Sequence, residues 1–418
     1  MDGMLIKNNG GRAFQSANSQ AESPLCSTRI SNMKCIKGRI VTPDGMVCGA
    51  VSVDHGRIAR VETASCASGE VFDYGSNLVV PGFIDVHLHG IGPYTMFGED
   101  DMAGAAELQL KYGTTAFLPT AASMTDAAFI EFAQNTVRAQ KRTRGRGAVI
   151  IGAHFEGPFI NPLKKGGMDA TLLQPMSLEK CCRYLETGVL KYMTLSPELP
   201  GSEAVIRLLV KNGVAVSLGH TKATREEMLL STAAGATSVC HLFNTFDRTG
   251  ELEPGVWKPG LVESILENKK LSCELICDMQ HVLPEYVRLA EASLHPHRFI
   301  AITDSMTGAG LPPADYQLVD GRWYSTRSGA GRLRDEPFKN GLVGSVITMD
   351  KAFSNLVKVC GFDAVTAAQY TSTNAARLLG LDQEMGSIEP GRKANIAILN
   401  GHYECVATFI EGEKLYGA

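Results

Sequence analysis

The histidines of this chain stand beside carboxylates at the ends of apolar runs. Two of the ten histidines, His87 and His89, are one residue apart at the end of the run 83–89. Alternate residues of a strand face the same side, so these two imidazoles can bind one ion together. His154 and Glu156 repeat this spacing at the end of another apolar run. Imidazole and carboxylate ligands suit zinc or another divalent metal, so the pattern predicts a metal centre.

Further candidate ligands close later apolar runs. His220, His241 and Asp304 each stand at or near the end of such a run. A single histidine at a strand end is more often a hydrogen-bonded core residue than a ligand, so the prediction depends on the whole set. For His154 two interpretations stay open: it orients a metal-binding side chain without binding the metal itself, or it belongs to the core.

The elements that must position these residues form a regular series. Apolar, β-branched runs alternate with helical patterns from residue 81 onward, which is typical of parallel βα units. Eight such units over about 280 residues predict a (β/α)₈ barrel, in which the carboxyl ends of the strands meet at one mouth. The predicted strands are residues 83–89, 115–120, 148–156, 191–197, 214–220, 236–244, 271–278 and 299–304. The predicted helices include residues 177–187, 202–212, 224–234, 284–294 and 349–360.

Both ends of the chain lie outside this series. Residues 33–80 alternate short β runs with turns at 43–45 and 54–56, which indicates antiparallel hairpins. Residues 363–381 read as a helix, and 395–399 and 408–415 read as late strands that pair with the early ones. The predicted fold class is therefore α/β: a (β/α)₈ TIM-type barrel with a small β-sandwich domain built from both chain ends. We assign 32–80 plus 385–418 to the sandwich, 81–384 to the barrel and 1–31 to a disordered tail.

Composition narrows the classes of partner. The chain has 418 residues, 44% of them hydrophobic and 20% charged, with a formal net charge of -4. No basic stripe is present, which argues against nucleic acid. No apolar run approaches the length of a membrane span, and the first residues do not resemble a signal peptide. We therefore expect a cytoplasmic protein that binds neither nucleic acid nor membrane.

Several motifs, in order along the chain, carry a family resemblance. They are P-G-F-I-D-V-H-L-H-G (81–90), H-F-E-G-P-F (154–159), S-L-G-H-T (217–221), H-L-F-N (241–244), D-M-Q-H-V (278–282), T-D-S (303–305) and G-S-I-E-P-G-R-K-A-N (386–395). With these motifs the chain resembles the amidohydrolase superfamily, and within it the N-acetylglucosamine-6-phosphate deacetylase family. The resemblance runs from about residue 35 to the C-terminus, and H-F-E-G-P-F is its most specific piece.

The resemblance implies a metal-dependent amide hydrolase that removes the N-acetyl group from N-acetylglucosamine-6-phosphate. Carried over by position, Glu156, His220 and His241 hold one metal ion, most simply zinc. His87 and His89 are lost in some relatives; their presence here implies a second ion bridged through Glu156, with one or two ions per chain.

The resemblance also implies roles in catalysis and substrate binding. Asp304 accepts and returns the proton, and His281 contacts the carbonyl oxygen on which charge develops. Asn244 and Thr245 contact the sugar. The alternatives are a helix N-cap role for Asp304, a structural role for His281 and a turn role for Asn244.

The chain departs from the family where a phosphate anchor is expected. In the family, a basic residue shortly after H-L-F-N reaches the sugar phosphate from a neighbouring subunit, which implies a homodimer. Here residues 247–260 place Leu252 or Trp257 at that position. Candidate substitutes are Arg248, Lys258, Lys164 and Lys165. Met168 also stands where relatives often carry a histidine that touches substrate.

These departures leave the substrate's distal end open. The alternative substrate is another N-acyl amino sugar, phosphorylated or not. A cyclic-amide amidohydrolase is a second alternative, but such enzymes usually bridge two metals with a carboxylated lysine, and Lys191 lies at the wrong end of its strand. A catalytically inactive barrel is the third, and the retained ligand set and Asp304 argue against it.

Overall fold

The computed structural model describes residues 33–63, 69–247, 250–335 and 339–417. The predicted tail, 1–31, lies outside the described residues. The strands are β1 (Lys34–Thr42), β2 (Gly45–Asp54), β3 (Arg57–Glu62), β4 (Glu70–Pro81), β5 (Phe83–Leu88), β6 (Gly90–Ile91), β7 (Tyr94–Thr95), β8 (Thr114–Ala122), β9 (Val149–Ile150), β10 (Ala153–Glu156), β11 (Leu190–Leu195), β12 (Ala215–Leu218), β13 (Ser238–Val239), β14 (Gly250–Glu253), β15 (Val256–Lys258), β16 (Ser272–Ile276), β17 (Phe299–Ile302), β18 (Asp315–Gln317), β19 (Trp323–Ser325), β20 (Ala330–Leu333), β21 (Leu342–Ser345), β22 (Ile396–Leu399), β23 (Cys405–Ile410) and β24 (Glu413–Tyr416). The α-helices are α1 (Glu99–Leu110), α2 (Asp126–Thr143), α3 (Leu178–Glu186), α4 (Ser202–Lys211), α5 (Arg225–Ala234), α6 (Leu261–Glu267), α7 (Pro284–Leu294), α8 (Met349–Lys358), α9 (Ala364–Ala368) and α10 (Asn374–Leu378).

Eight parallel strands form the predicted barrel. Their order is β5-β8-β10-β11-β12-β13-β16-β17, and each neighbouring pair is parallel. The last strand returns to the first, because the Asp304 N–H donates to the His87 carbonyl at 2.9 Å and the His89 N–H donates to the Ser305 carbonyl at 2.7 Å. The (β/α)₈ prediction is therefore confirmed, and the predicted helices match α3, α4, α5, α7 and α8 within two residues at each end.

Strand β10 shows how the sequence turns functional side chains inward. Its residues alternate, so His154 and Glu156 face one side and Phe155 the other. The Phe155 ring packs 4.8 Å from Phe129 of α2 and 5.3 Å from Tyr184 of α3, centroid to centroid. Full burial of such a ring contributes about 1.5–3 kcal/mol. The apolar side of the strand thus attaches it to the helices and leaves the polar side for the barrel interior.

Residues from both chain ends form one seven-stranded sheet. Its order is β24-β23-β22-β4-β1-β2-β3, and β4 joins the early and late strands by pairing parallel with β1 and antiparallel with β22. Its buried face includes Ile40, Val79, Ile398 and Phe409. The prediction that late strands pair with early ones is confirmed. The domain boundaries at 80/81 and 384/385 stay a prediction.

Three predicted elements differ from the structure. The run 408–415 is not one strand, because Glu411 and Gly412 adopt positive φ and turn β23 into β24. The run 148–156 is divided into β9 and β10. The run 236–244 forms a strand only over β13, since the chain turns from residue 240 onward.

Two further features were not predicted. The antiparallel sheet β18–β21 is inserted between β17 and α8, and the hairpin β14–β15 is inserted after β13. The inserted sheet reaches the barrel mouth, where the Ser345 N–H donates to the Asp304 carbonyl at 2.8 Å. Within the described ranges, no helix combines the length and the apolar character that a membrane crossing requires.

Candidate metal-dependent active site

Three predicted ligands meet at the mouth of the barrel. Glu156 ends β10, while His220 and His241 lie two residues beyond the ends of β12 and β13. Oε1 of Glu156 is 2.9 Å from Nε2 of His220 and 3.1 Å from Nε2 of His241, and these two nitrogens are 3.0 Å apart. All three side chains are buried. One carboxylate oxygen and two imidazole nitrogens thus converge on a single point.

A second group lies on the other side of the same carboxylate. Nε2 of His89 is 3.2 Å from Oε2 of Glu156 and 3.3 Å from Oδ1 of Asp304. Nε2 of His87 is 3.6 Å from each of these two oxygens. The Glu156 carboxylate therefore stands between the two groups, with one oxygen toward each.

Several of these side chains depend on unusual backbone conformations. His220, His241 and Asp304 have φ values of 49°, 24° and 46°, in the left-handed region that residues other than glycine seldom occupy. Such residues persist only where the surrounding structure holds them, as the hydrogen bonds of Asp304 to β5 and β21 do. These turns follow the strand ends, and the three side chains belong to the two groups of candidate ligands at the mouth.

Neighbouring acceptors hold Nδ1 of His220 and Nδ1 of His87, which leaves the Nε2 atom of each of these two rings for a cation. Nδ1 of His220 is 2.8 Å from the Lys164 carbonyl, and Nδ1 of His87 is 3.0 Å from Oε2 of Glu274. An acceptor on one ring nitrogen fixes the tautomer in which the other carries a lone pair. Nε2 of His87 is buried and makes no hydrogen bond among the described residues. The donor set therefore fits the divalent cation that the sequence predicts.

Charge within the group is balanced by the histidines. Burial lowers the pKa of His89, but hydrogen bonds to Asp304 and Glu156 outweigh it and raise that pKa to about 9. Burial raises the pKa of Glu156, but the charge of His87 and hydrogen bonds from the histidines bring it well below the usual value. The pKa of Asp304 is lowered in the same way, against burial, chiefly by His89. Ionised carboxylates and neutral imidazoles are the forms that bind metal, so a cation displaces the imidazole protons.

His154 is a core residue rather than a member of either group. Its Nδ1 is 3.2 Å from the Thr120 hydroxyl and its Nε2 is 2.9 Å from the Thr194 hydroxyl. Burial first, and then the charge of His87, lower its pKa well below the usual value. With both nitrogens paired, the neutral ring packs 4.6 Å from His87, centroid to centroid.

Sequence reasoning missed Glu274. This fully buried carboxylate on β16 contacts His87 and also accepts the backbone N–H of His241 at 3.3 Å. Cys240, 3.8 Å from Nδ1 of His87, completes a third group of potential ligands. An acidic residue inside the apolar run L-S-C-E-L-I-C was the available signal, because a buried carboxylate needs a partner.

The candidate substrate-binding residues line a cavity that also contains the candidate metal ligands. Its volume is about 250 Å³, and Asn244, Thr245 and His281 line it together with Asp304. Nδ1 of His281 is 2.7 Å from Oδ2 of the buried Asp278, which leaves Nε2 as the ring atom available to a ligand. Asn244 Nδ2 donates to the His281 carbonyl at 3.4 Å, so the two motifs are connected.

The candidate phosphate anchors differ in their location and in their contacts. Arg248 lies outside the described residues. Lys164 pairs with Asp247, and Lys258 lies on the exposed hairpin β14–β15 that also carries Leu252 and Trp257. Lys165 donates to the Met168 carbonyl at 2.8 Å.

Two further sequence positions have clear locations. Met168 lines the cavity where relatives are expected to carry histidine. Lys191 is exposed near the start of β11, far along its strand from the candidate metal ligands, so it cannot bridge them.

One residue that the sequence did not indicate also lines the cavity. It is Arg322 of the inserted sheet.

Comparison with known proteins agrees with this arrangement. The model of the amidohydrolase family matches residues 78–415, so the chain belongs to the amidohydrolase family. Within it, the chain is 30% identical to the N-acetylglucosamine-6-phosphate deacetylase of Lysinibacillus sphaericus, over 84% of this chain and 89% of that one. It is 28% identical to the N-acetylgalactosamine-6-phosphate deacetylase of Escherichia coli O157:H7, over 90% and 97%. The family recognised from the motifs is thus confirmed.

Solved structures give the same result. A mutant N-acetyl-D-glucosamine-6-phosphate deacetylase from Mycobacterium smegmatis, in complex with N-acetyl-D-glucosamine-6-phosphate, superposes with a TM-score of 0.83 at 25% identity, covering 92% of this chain and 100% of that one. The N-acetylglucosamine-6-phosphate deacetylase of Thermotoga maritima superposes with a TM-score of 0.81 at 28% identity, with the same coverage.

Proposed function

We propose that this protein removes the N-acetyl group from N-acetylglucosamine-6-phosphate and releases glucosamine-6-phosphate and acetate, a step of amino-sugar catabolism. The observation that carries the proposal is the convergence of Glu156, His220 and His241 beside Asp304 in one cavity. The likeness to amino-sugar phosphate deacetylases supports the choice of substrate class.

In this proposal the two histidine groups hold divalent cations, most simply zinc. Glu156, His220 and His241 would hold the first, and His87, His89 and Asp304 would hold a second, with the Glu156 carboxylate beside both groups. When bound, such a cation lowers the pKa of water toward about 7 and polarises the amide carbonyl. The chain's own part is to orient the ligands through the Lys164 carbonyl and Glu274.

Asp304 carries the proton in the hydrolysis. Its lowered pKa keeps it ionised, so the carboxylate can accept a proton from the attacking water. As the water oxygen bonds to the carbonyl carbon, the C–N bond weakens, and Asp304 returns the proton to the leaving nitrogen. The C–N bond then breaks, the amine and acetic acid leave with the Asp304 carboxylate regenerated, and the acid gives up its remaining proton to solvent as acetate.

His281 stabilises the carbonyl oxygen. Asp278 holds Nδ1 and so orients the ring, and in this proposal Nε2 contacts the oxygen on which charge develops. Asn244, Thr245 and Arg248 complete the proposed contacts with the sugar.

The second candidate substrate is N-acetylgalactosamine-6-phosphate, because one relative is an N-acetylgalactosamine-6-phosphate deacetylase. The replacement of the expected phosphate anchor by Leu252 or Trp257 is the reason to include an unphosphorylated sugar in the test. The test measures kcat/KM, by amine release from the metal-loaded protein, on both 6-phosphates and on unphosphorylated N-acetylglucosamine. The proposal predicts the highest value for N-acetylglucosamine-6-phosphate. Preference for the galacto epimer would favour the second substrate, and no amine release from any of the three would refute deacetylation.

The remaining parts of the proposal are a homodimer, which the family resemblance implies, and a cytoplasmic location, which the sequence leads us to expect. The molar mass in solution, measured by light scattering, tests the dimer: about twice the 44.9 kDa of the chain is predicted. The mass of a single chain would contradict it.

A further inference from the structure

The cavity offers one strong cation to a substrate. Among the described residues that line it, Arg322 is the only lysine or arginine. The same cavity contains His89, Glu156, His220, His241 and Asp304, so one small molecule can reach both the metal ligands and this guanidinium. A substrate with an amide at one end and an anion at the other matches that arrangement.

The Arg322 side chain is held in place before any ligand binds. Its Nε donates to Oδ2 of Asp320 at 2.9 Å, and its Nη2 donates to the same oxygen at 2.5 Å and to the Gly167 carbonyl at 2.7 Å. These bonds connect the inserted sheet to the loop that follows β10. Nη1 makes no hydrogen bond among the described residues and is therefore free to donate to a ligand. The side chain is only 27% exposed, so binding of a ligand requires little further ordering of this side chain.

A second cation lies close to this guanidinium. Burial first, and then the charge of Arg322, lower the pKa of Lys165. The Lys165 ammonium is held by the Met168 carbonyl on the same loop as Gly167. Two neighbouring cations repel each other, and an anion beside them relieves that repulsion. Asp169 and Asp320 both act on Lys165 in the opposite sense, so two carboxylates face the two cations, and Nη1 of Arg322 is the donor that remains for a ligand.

We propose that Arg322, supported by Lys165 of the same chain, binds the phosphate of the substrate and sets the preference for phosphorylated sugars. The inference rests on the proposed function and deepens it. A guanidinium fork matches phosphate oxygens geometrically, and hydrogen bonds between charged groups are about twice as strong as neutral ones. The inserted sheet then replaces the missing anchor from within the same chain.

The test compares Arg322→Met with the wild type on N-acetylglucosamine-6-phosphate and on unphosphorylated N-acetylglucosamine. We expect kcat/KM on the phosphorylated sugar to fall by about a hundredfold and kcat/KM on the unphosphorylated sugar to stay within about threefold. Arg322→Lys, which keeps the charge without the fork, should recover part of the loss, and Lys165→Met should give a smaller loss in the same direction. The matched control is Arg334→Met on the same inserted sheet, whose guanidinium pairs with Asp315 at 2.8 Å outside the cavity.

The possible outcomes separate the role of Arg322 from the proposed deacetylase function. A wild type that prefers the phosphate, together with an Arg322→Met variant that keeps the preference, overturns the role of Arg322 and leaves the deacetylase function intact. Equal losses on both sugars, or the same loss in Arg334→Met, show that the change acts through folding of the inserted sheet and also overturn the inference. A wild type inactive on both sugars refutes the proposed function itself.

Discussion

The buried carboxylate of Glu274 should control binding of a cation at His87. It accepts from Nδ1 of His87 at 3.0 Å, which turns Nε2 toward Glu156 and Asp304. Substitution by glutamine keeps the shape and one acceptor oxygen but removes the charge. Since Glu274 touches none of the proposed substrate contacts, the effect should appear in metal binding before it appears in KM.

The size of the effect follows from the hydrogen bonds. Bonds to charged groups contribute about 1.5–3 kcal/mol and neutral ones about 0.5–1.5 kcal/mol. Glu274→Gln should therefore weaken the binding of a cation at the His87 group by about 1 kcal/mol, which is roughly a fivefold to tenfold loss of affinity. Glu274→Leu removes the acceptor of the His241 N–H and leaves Nδ1 of His87 with only the Cys240 sulfur at 3.8 Å, at a cost of about 1–3 kcal/mol for each lost bond. A loss of about a hundredfold or more, with a lower melting temperature, is expected for the leucine variant.

The assay is metal content by mass spectrometry after equilibration against graded chelator. The wild type should hold two equivalents, and Glu274→Gln should release one of them at a lower chelator concentration while it retains the other. Glu203→Gln, on the exposed surface of α4, serves as the control for loss of a carboxylate. Identical chelator curves for Glu274→Gln and the wild type, or a single equivalent in the wild type, would refute the reasoning.

Two further substitutions test the catalytic assignments. Asp304→Asn should keep about the wild-type affinity at the Glu156 group and lower kcat by at least about a thousandfold, measured as amine release, because the amide cannot accept the proton; retained turnover would exclude this role. His281→Asn should leave metal content unchanged and lower kcat by about a hundredfold to a thousandfold with little change in KM, measured by steady-state kinetics, because it removes a donor to the carbonyl oxygen. A rise in KM alone would assign His281 to substrate binding instead.

The convergence of the candidate ligands could be predicted because barrel strands place their carboxyl ends together. His87 and His89 required only the alternation of a strand, and Glu156 required only its place after an apolar run. His220 and His241 were found for a less direct reason. Both lie beyond their strands, in left-handed turns that no local sequence signal indicated, yet the same strand ends still bring them to the mouth.

The missed residues depend on contacts between distant parts of the chain. Glu274 is 187 positions from His87, and Arg322 is 155 positions from Gly167. An acidic residue in an apolar run could have been noticed, but its partner could not have been identified from the sequence. Arg322 lies in an irregular stretch of short strands with no repeat to place it over the cavity.

The most direct test of the account is the metal content of Glu156→Gln beside the wild type, measured together with amine release from N-acetylglucosamine-6-phosphate. Glu156 is the carboxylate that both histidine groups share, so its charge should be needed for either cation. We expect the wild type to carry a divalent cation and to hydrolyse the substrate, and we expect Glu156→Gln to lose both. Wild-type metal content in Glu156→Gln, or full activity without metal, would contradict this expectation.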